Sequence, residues 1–376
     1  MSPLIIEGCL GGQGLTVAIK DTLDVAGWPT RCGSRAFETA APAEQHATVV
    51  QALLDSGWQV IGKTVLHELA FGVTGINEWA GTPINPQAPE RIPGGSSSGS
   101  AVIVAQGAVD VALGTDTGGS VRMPAACCGV FGLKPTFSRL SRAGVYPASS
   151  SLDCVGPMAR DLDTLVAAMS AMDCTFVAQM PPEQLRVGLV GVSCDPAIDT
   201  AMRDAMTRRG WTWEPVSIPL LDQAFEAALT VINAETWMAF GKYTGQGLLG
   251  ADVEARLLRA AATDAKALLI AESVRVSFSE QVDQLLENFD ALVLPTLPRL
   301  PPLLADVQQG EPVIDLTRYL RPFNLSGHPA LSVPIAYPDS SIKTSLQLIG
   351  RKGDDARLCA MAAASLNHKT DARNQQ

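Results

Sequence analysis

The sequence lacks several features that would assign it to a common class of protein. Its 376 residues include 38 acidic and 28 basic side chains, so the net charge is -10 and the basic surface that attracts nucleic acid is missing. The chain offers no uninterrupted run of roughly 18 apolar residues to cross a bilayer. Its first residues do not form a secretory signal. These absences predict a cytoplasmic protein whose partner is a small molecule, without nucleic acid or membrane.

Patterns for metal binding and disulfide formation are also missing. The eight cysteines show no C-x-x-C spacing, and the four histidines lie far apart. In a long chain without a signal peptide, this pattern indicates reduced and mostly buried thiols and argues against a structural zinc.

The composition is that of a globular protein with a large core. Hydrophobic residues make up 47% of the chain and charged residues 18%. The length is compatible with two domains or with one broad α/β sheet. Strand patterns occur at 15–20 and 109–113, and a helix pattern at 48–56 is followed by a strand at 59–61. Lys63 is therefore expected just past the end of a strand.

Two glycine-rich segments flank the helix predicted after residue 100 and the strand at 109–113. The first is PGGSSSGS at 93–100, and the second is GTDTGGS at 114–120. Both contain too few apolar side chains to pack as regular elements, so we interpret them as loops.

Two short segments match known functional motifs, but in each case the residues in or next to the segment do not suit the structure that the motif requires. GWQVIGKT at 57–64 fits the letters of a phosphate-binding P-loop, but its central residues favour a strand rather than a curled loop. GSSSG at 95–99 fits a nucleophile elbow with Ser97 as nucleophile and His328 as base. The preceding NPQAPERIP cannot form the central strand that an elbow requires.

A third interpretation joins both glycine-rich segments to a lysine. A serine hydroxyl needs a neighbouring base to become a nucleophile, and a lysine can be that base when burial lowers its pKa. Lys63 lies between apolar segments and is our candidate. The Thr-Gly-Gly-Ser turn at 117–120 offers consecutive N–H groups that suit a developing oxyanion.

At these residues the chain resembles the amidase signature family, the serine hydrolases with a Ser-Ser-Lys triad. The most specific segment is ALGTDTGGSVRMPAACCGVFGLKPT at 112–136. Further matching segments are VAIKD at 17–21, GKT at 62–64, PGGSSSGSA at 93–101, SLDCVGPMARD at 151–161, ALVLPT at 291–296 and NLSGHPALSVP at 324–334.

The resemblance implies a role for individual residues. Ser120 would be the nucleophile, Ser96 the bridging serine after a cis peptide bond, and Lys63 the base. The backbone N–H groups of the oxyanion hole would come from Thr117, Gly118, Gly119 and Ser120. No metal or organic cofactor is required. Asp116 and Arg122 are interpreted as a structural clamp rather than as catalysts.

The resemblance also implies an α/β fold with a large mixed β-sheet covered on both sides by α-helices. We expect a single domain over 1–376, with a signature core at about 50–165, a variable substrate-pocket region at about 165–290 and a closing segment at 291–368. The expected activity is hydrolysis of a small carboxylic amide by a monomer or homodimer. A subunit of a glutamine-dependent amidotransferase, an esterase and a non-catalytic relative remain as alternatives.

Overall fold

The computed structural model describes residues 2–363, and these residues contain one sheet of eleven strands and eleven α-helices. The strands are β1 Leu4–Gly11, β2 Thr16–Lys20, β3 Gln59–Thr64, β4 Val111–Asp116, β5 Phe131–Lys134, β6 Cys154–Ala159, β7 Arg186–Val190, β8 Thr212–Val216, β9 Ala291–Pro295, β10 Ala330–Ala336 and β11 Lys343–Ile349. The end of the predicted closing segment, 364–368, lies outside the described residues.

The helices connect the strands and cover the sheet. They are α1 Thr48–Asp55, α2 Ser98–Ala105, α3 Arg122–Cys128, α4 Leu162–Met172, α5 Pro196–Arg208, α6 Leu221–Phe240, α7 Ala251–Ala260, α8 Ala265–Asn288, α9 Leu304–Gln308, α10 Arg321–Leu325 and α11 Asp355–Ala363. Among these residues we find no helix with the length and apolar character needed to span a membrane.

The sheet is mixed, with the strand order β1-β3-β2-β4-β6-β5-β10-β11-β9-β7-β8. Strand β2 runs parallel to both β3 and β4, whereas β4 and β6 are antiparallel. All six residues of β4 are buried. Because β2 and β4 are parallel neighbours, their carboxyl ends lie side by side at the same edge of the sheet.

Hydrophobic clusters lie on both faces of this sheet. Val111 and Leu113 of β4 belong to one cluster with side chains of α1, α4, α5 and α11. Ala112 points to the other face and packs with α2 and α3. Successive side chains of β4 thus pack against helices on opposite faces of the sheet. This confirms the α/β architecture that the resemblance implied.

Most of the predicted elements are present, but the strand at 59–61 is longer than expected. It continues to Thr64, because β3 is paired on both sides, with β1 and with β2. Lys63 therefore lies inside a strand rather than after one. The same extended backbone excludes a curled phosphate-binding loop at 57–64.

Candidate active site

A buried lysine at the end of β2 contacts the first glycine-rich loop. Lys20 is the last residue of this strand, and its side chain is fully buried. Its Nζ lies 2.7 Å from Ser96 Oγ and 2.8 Å from Thr115 Oγ1. Thr115 belongs to β4, the parallel neighbour of β2. The lysine that reaches the serine-rich loop is thus Lys20.

The structure contradicts the prediction that Lys63 serves Ser96. Lys63 is also fully buried, but its Nζ forms an ion pair with Asp21 Oδ1 at 2.7 Å and donates to Thr30 Oγ1 at 2.8 Å. A lysine held by a buried carboxylate is a structural cation. Lys20, not Lys63, contacts Ser96 and is the candidate base.

Strand geometry explains why the two lysines do not share an environment. In the parallel pair of β2 and β3, Lys20 is opposite Thr64, whereas Lys63 is opposite Ile19. Thr64 Oγ1 lies 2.7 Å from Ser100 Oγ, on the side of α2. Because successive side chains of a strand alternate between faces, Lys63 points away from the side that carries Ser100.

The environment of Lys20 favours its neutral form. Burial lowers the pKa of Lys20 to about 7, although the carboxylates of Asp153 and Asp116 act in the opposite direction. A lysine with such a pKa is available as a proton acceptor near neutral pH.

The first glycine-rich loop places Ser96 against Lys20 and the next residue, Ser97, against the second loop. The Gly95–Ser96 peptide bond is cis, as the resemblance implied, and the Ser96 side chain is fully buried. The N–H of Ser97 donates to the carbonyl oxygen of Ser120 at 3.3 Å, so the two loops adjoin. The Ser97 hydroxyl is buried and donates to the Thr115 carbonyl oxygen, which does not fit an exposed nucleophile.

Asp116 fixes the second glycine-rich loop. Its carboxylate accepts hydrogen bonds from the N–H groups of Gly119, Val121 and Arg122, and it forms an ion pair with the Arg122 guanidinium at 2.8 Å. Asn324 Nδ2 donates to the backbone oxygen of Asp116 and to Asp116 Oδ1. Burial alone would raise the pKa of Asp116, but Arg122 and these hydrogen bonds hold it below its usual value. The interpretation of Asp116 and Arg122 as a clamp is consistent with these contacts.

The clamp changes the predicted composition of the oxyanion hole. Gly119 N–H is already bonded to Asp116 Oδ1 at 2.8 Å, so this group is not free to meet an oxyanion. None of the described residues accepts a hydrogen bond from the N–H of Thr117, Gly118 or Ser120. These three residues also line the cavity described next. The structure therefore leaves three of the four predicted donors available.

A cavity of about 870 Å³ opens in front of this turn. Ser120 lines it and is partly exposed, as expected for a residue that must meet a substrate. Apolar side chains from several elements contribute to the wall, and the charged or titratable lining residues include His67, Glu68, Asp252, Arg256, Glu311 and Arg321. Within residues 2–363 no group of three or more histidine, cysteine, aspartate or glutamate side chains is arranged to hold a metal ion.

Three residues around this site were not predicted from the sequence. Lys20 stands in VAIKD, one of the family-like segments, and a lysine that ends an apolar strand was a usable signal. Thr115 and Arg321 carry no comparable signal, because the sequence does not show which side chains the sheet and α10 bring to the loops. Only the fold reveals their contacts.

A family model described as Amidase matches residues 12–359 of this chain. The A-type subunit of the glutamyl-tRNA(Gln) amidotransferase from Methanococcoides burtonii is 34% identical over 411 residues, covering 95% of this chain and 85% of that protein. The same-named protein from Symbiobacterium thermophilum is 34% identical, covering 93% of this chain and 82% of that protein.

Solved structures with a similar fold belong to related proteins. A structure described as a vestigial protein complex that reveals the origins of an s-triazine catabolic enzyme has a TM-score of 0.86 and 28% identity, covering 95% of this chain and 84% of that one. The A-type subunit of the glutamyl-tRNA(Gln) amidotransferase from Thermotoga maritima has a TM-score of 0.81 and 29% identity, with coverages of 96% and 84%. The chain belongs to the amidase signature family.

Proposed function

We propose that this protein hydrolyses the amide bond of a small carboxylic amide through an acyl-enzyme on Ser120, with Ser96 as proton relay and Lys20 as base. The observation that supports this most strongly is the 2.7 Å contact between the fully buried Lys20 Nζ and Ser96 Oγ. It joins a lysine with a pKa of about 7 to the loop beside Ser120.

The first half of the reaction breaks the C–N bond. Neutral Lys20 accepts the hydroxyl proton of Ser96 while Ser96 takes the proton of Ser120, and Ser120 Oγ attacks the amide carbon. The N–H groups of Thr117, Gly118 and Ser120 stabilise the oxyanion. When the tetrahedral intermediate collapses, the proton returns through Ser96 to the departing nitrogen, and the acid remains as an ester on Ser120.

The second half hydrolyses this ester. Water gives a proton through Ser96 to Lys20 and its oxygen attacks the ester carbon. Collapse of the second tetrahedral intermediate breaks the bond to Ser120 Oγ, which recovers the proton, and the carboxylic acid leaves. Atoms and charges balance over the two half-reactions without a metal or an organic cofactor.

A second candidate function is that of one subunit in a glutamine-dependent amidotransferase. The observation that favours it is the name of the relatives from Methanococcoides burtonii and Symbiobacterium thermophilum, each 34% identical to this chain. In that role the same triad would release ammonia from glutamine, and a partner protein would use it. The two candidates differ in the amide and in the need for a partner, not in the residues of the triad.

The catalytic assignment is tested by covalent labelling and by turnover of an amide panel that includes glutamine. We expect a fluorophosphonate to add one label at Ser120. Ser120→Ala should abolish the label and lower ammonia release by at least about 1,000-fold. Lys20→Met should slow labelling by roughly 100-fold or more, because the base is lost.

Lys63→Met is the matched control, since it removes a second fully buried lysine from the adjacent strand. The folded fraction of this variant should still be labelled at a rate close to that of the unaltered protein. Labelling that depends on Lys63 but not on Lys20 would refute the assignment of the base. Ammonia release from glutamine only in the presence of a co-purified partner protein would favour the second candidate.

A further inference from the structure

The cavity contains a buried cation that has no acceptor. Arg321, the first residue of α10, is 5% exposed and lines the cavity together with Ser120. Its Nε and Nη1 are buried and make no hydrogen bond with any residue in the described part of the chain. Leaving a buried charged group without a partner costs folding free energy, so such a group points to a ligand.

Arg321 lies directly against the loop that carries Ser120. A Cβ added at Gly118 would come within 3.2 Å of Arg321 Cγ and 3.4 Å of its Nε. The next residue, Gly119, has a φ of +115°, and a Cβ there would meet the side chain of Leu320 at 2.5 Å. The start of α10 therefore packs on the Gly118–Gly119 turn so closely that neither position has room for a side chain without movement of its neighbours.

Buried polar contacts hold α10 in this position. Asn324 Nδ2 donates to the backbone oxygen of Asp116 at 2.7 Å, and Arg122 Nη1 donates to the Leu320 carbonyl oxygen at 3.1 Å. The same Arg122 and Asp116 clamp the Ser120 loop. The position of Arg321 relative to the reacting serine is thus set by a shared network.

The guanidinium group is also oriented and charged. Its Cζ lies over the Phe225 ring, 5.1 Å from the ring centre, a cation–π contact that helps to hold the guanidinium in place. Burial and the nearby Arg256 lower the pKa of Arg321 to about 9, against the opposing effect of Glu226, so the group remains protonated near neutral pH. An oriented planar fork is suited to bind a carboxylate through two hydrogen bonds.

Three of the four acidic residues that line the cavity, Glu68, Asp252 and Glu311, already have partners. Asp252 pairs with Arg256 at 2.9 Å and with His67 at 3.5 Å. Glu68 accepts a hydrogen bond from the Ser34 hydroxyl at 2.5 Å and from the Gly250 N–H at 2.8 Å.

The other two acidic lining residues are Glu311 and Glu78. Glu311 pairs with Arg299 at 2.7 Å. Glu78 is exposed at the rim. Both oxygens of Glu68, the buried carboxylate among these residues, already accept hydrogen bonds, whereas a substrate carboxylate would find a buried guanidinium whose Nε and Nη1 have no acceptor.

Building on the proposed amide hydrolysis, we propose that Arg321 binds a carboxylate of the substrate, and that the substrate class is the monoamides of short dicarboxylic acids that carry no ammonium group. Arg321 is thereby a specificity-determining residue. It does not take part in proton transfer.

The first test compares amides of equal size and different charge. Succinamate and glutaramate each carry a carboxylate, while succinamide and glutaramide carry a neutral amide in its place. For the better of the two chain lengths, we expect kcat/KM for ammonia release to be about 100-fold higher for the anion. Arg321→Met should reduce this ratio to about 1, and Arg321→Lys should retain part of it because the charge is kept without the planar fork.

Arg318→Met is the matched control. Arg318 lies three residues earlier, is half exposed and pairs on the surface with Asp222. Its removal should leave the anion-to-neutral ratio as it is in the unaltered protein. A ratio near 1 in the unaltered protein, or a high ratio that persists in Arg321→Met, would overturn the inference.

A binding measurement separates this inference from the proposed function. Calorimetry with the Ser120→Ala protein uses glutarate and glutaramide as probes and needs no turnover. We expect glutarate to bind more tightly than glutaramide, and to lose this advantage when Arg321→Met is added. Equal binding of both probes refutes the role of Arg321 even if Ser120 is labelled and amides are hydrolysed. A glutarate preference that depends on Arg321 supports the role of Arg321, whether or not the unaltered protein is labelled at Ser120. Absence of that label in the unaltered protein would refute only the proposed function.

Discussion

Lys20 and Lys63 show how the same residue type meets two different environments within one fold. Both side chains are fully buried, but only Lys63 has a carboxylate in contact, Asp21 at 2.7 Å. Lys20 contacts two hydroxyl groups, and burial lowers its pKa to about 7. Burial thus favours the neutral form of Lys20, which has no carboxylate in contact.

The rate of acylation should therefore follow the ionisation of Lys20. In the proposed mechanism the neutral amine is the active form, so kcat/KM should rise with pH on a limb near the pKa of about 7. The Asp153 carboxylate raises this pKa, so Asp153→Asn should move the limb to lower pH. The measurement is the pH profile of kcat/KM.

Glu214→Gln is the control for that profile, since Glu214 is an exposed carboxylate that pairs with Arg186 at the surface. It should leave the limb in place. A limb that stays at the same pH in Asp153→Asn, or that moves upward, would contradict the electrostatic account of Lys20.

At the scale of elements, the ion pair between Lys63 and Asp21 ties β3 to the segment that follows β2. Both side chains are fully buried. Thr30, further along that segment, also contacts Lys63, at 2.8 Å. This arrangement explains why a lysine in the middle of a buried strand is tolerated.

Removing one partner of this pair should destabilise the protein. Lys63→Met leaves the Asp21 carboxylate buried without its counter-charge, and we expect a loss of roughly 3 kcal/mol in the free energy of unfolding. The double variant Lys63→Met/Asp21→Asn should recover part of this loss, because neither charge remains. Urea denaturation measures both effects. A double variant no more stable than the single one would argue against an uncompensated charge as the cause.

At the scale of the whole molecule, the low pKa of Lys20 links global stability to pH. Between about pH 7 and the ordinary lysine value of 10.5, the unfolded chain binds a proton at this residue and the folded protein does not. Stability therefore increases with pH through this window, by up to about 1.4 kcal/mol per pH unit from Lys20 alone. The buried Lys20 amine thus lowers the stability of the fold below that window.

Lys20→Met should remove this contribution. The free energy of unfolding of the variant, relative to the unaltered protein, should fall by roughly 1–2 kcal/mol between pH 7 and pH 8.5. Lys352→Met, at a partly exposed lysine, should show no such trend. A difference between Lys20→Met and the unaltered protein that does not vary with pH would show that Lys20 has an ordinary pKa.

The family and the positions of the two glycine-rich loops were accessible from the sequence. The segment at 112–136 and the PGGSSSGS loop consist of contiguous residues whose backbone must adopt special turns, so their identity is visible in the linear order. Strands such as β4 and β9 were also predictable, since their buried residues form short apolar runs between turn residues.

The choice of the lysine and the free state of Arg321 were decided only by the tertiary structure. Lys20 and Lys63 both follow apolar strand residues, and nothing in the linear order states that β2 and β3 are paired with Lys20 opposite Thr64. A one-residue difference in that register determines which amine faces the serine loop and which faces Asp21. Likewise, a cation without a partner is recognisable only when every neighbour in space is known, because the partners of a buried charge come from distant parts of the chain.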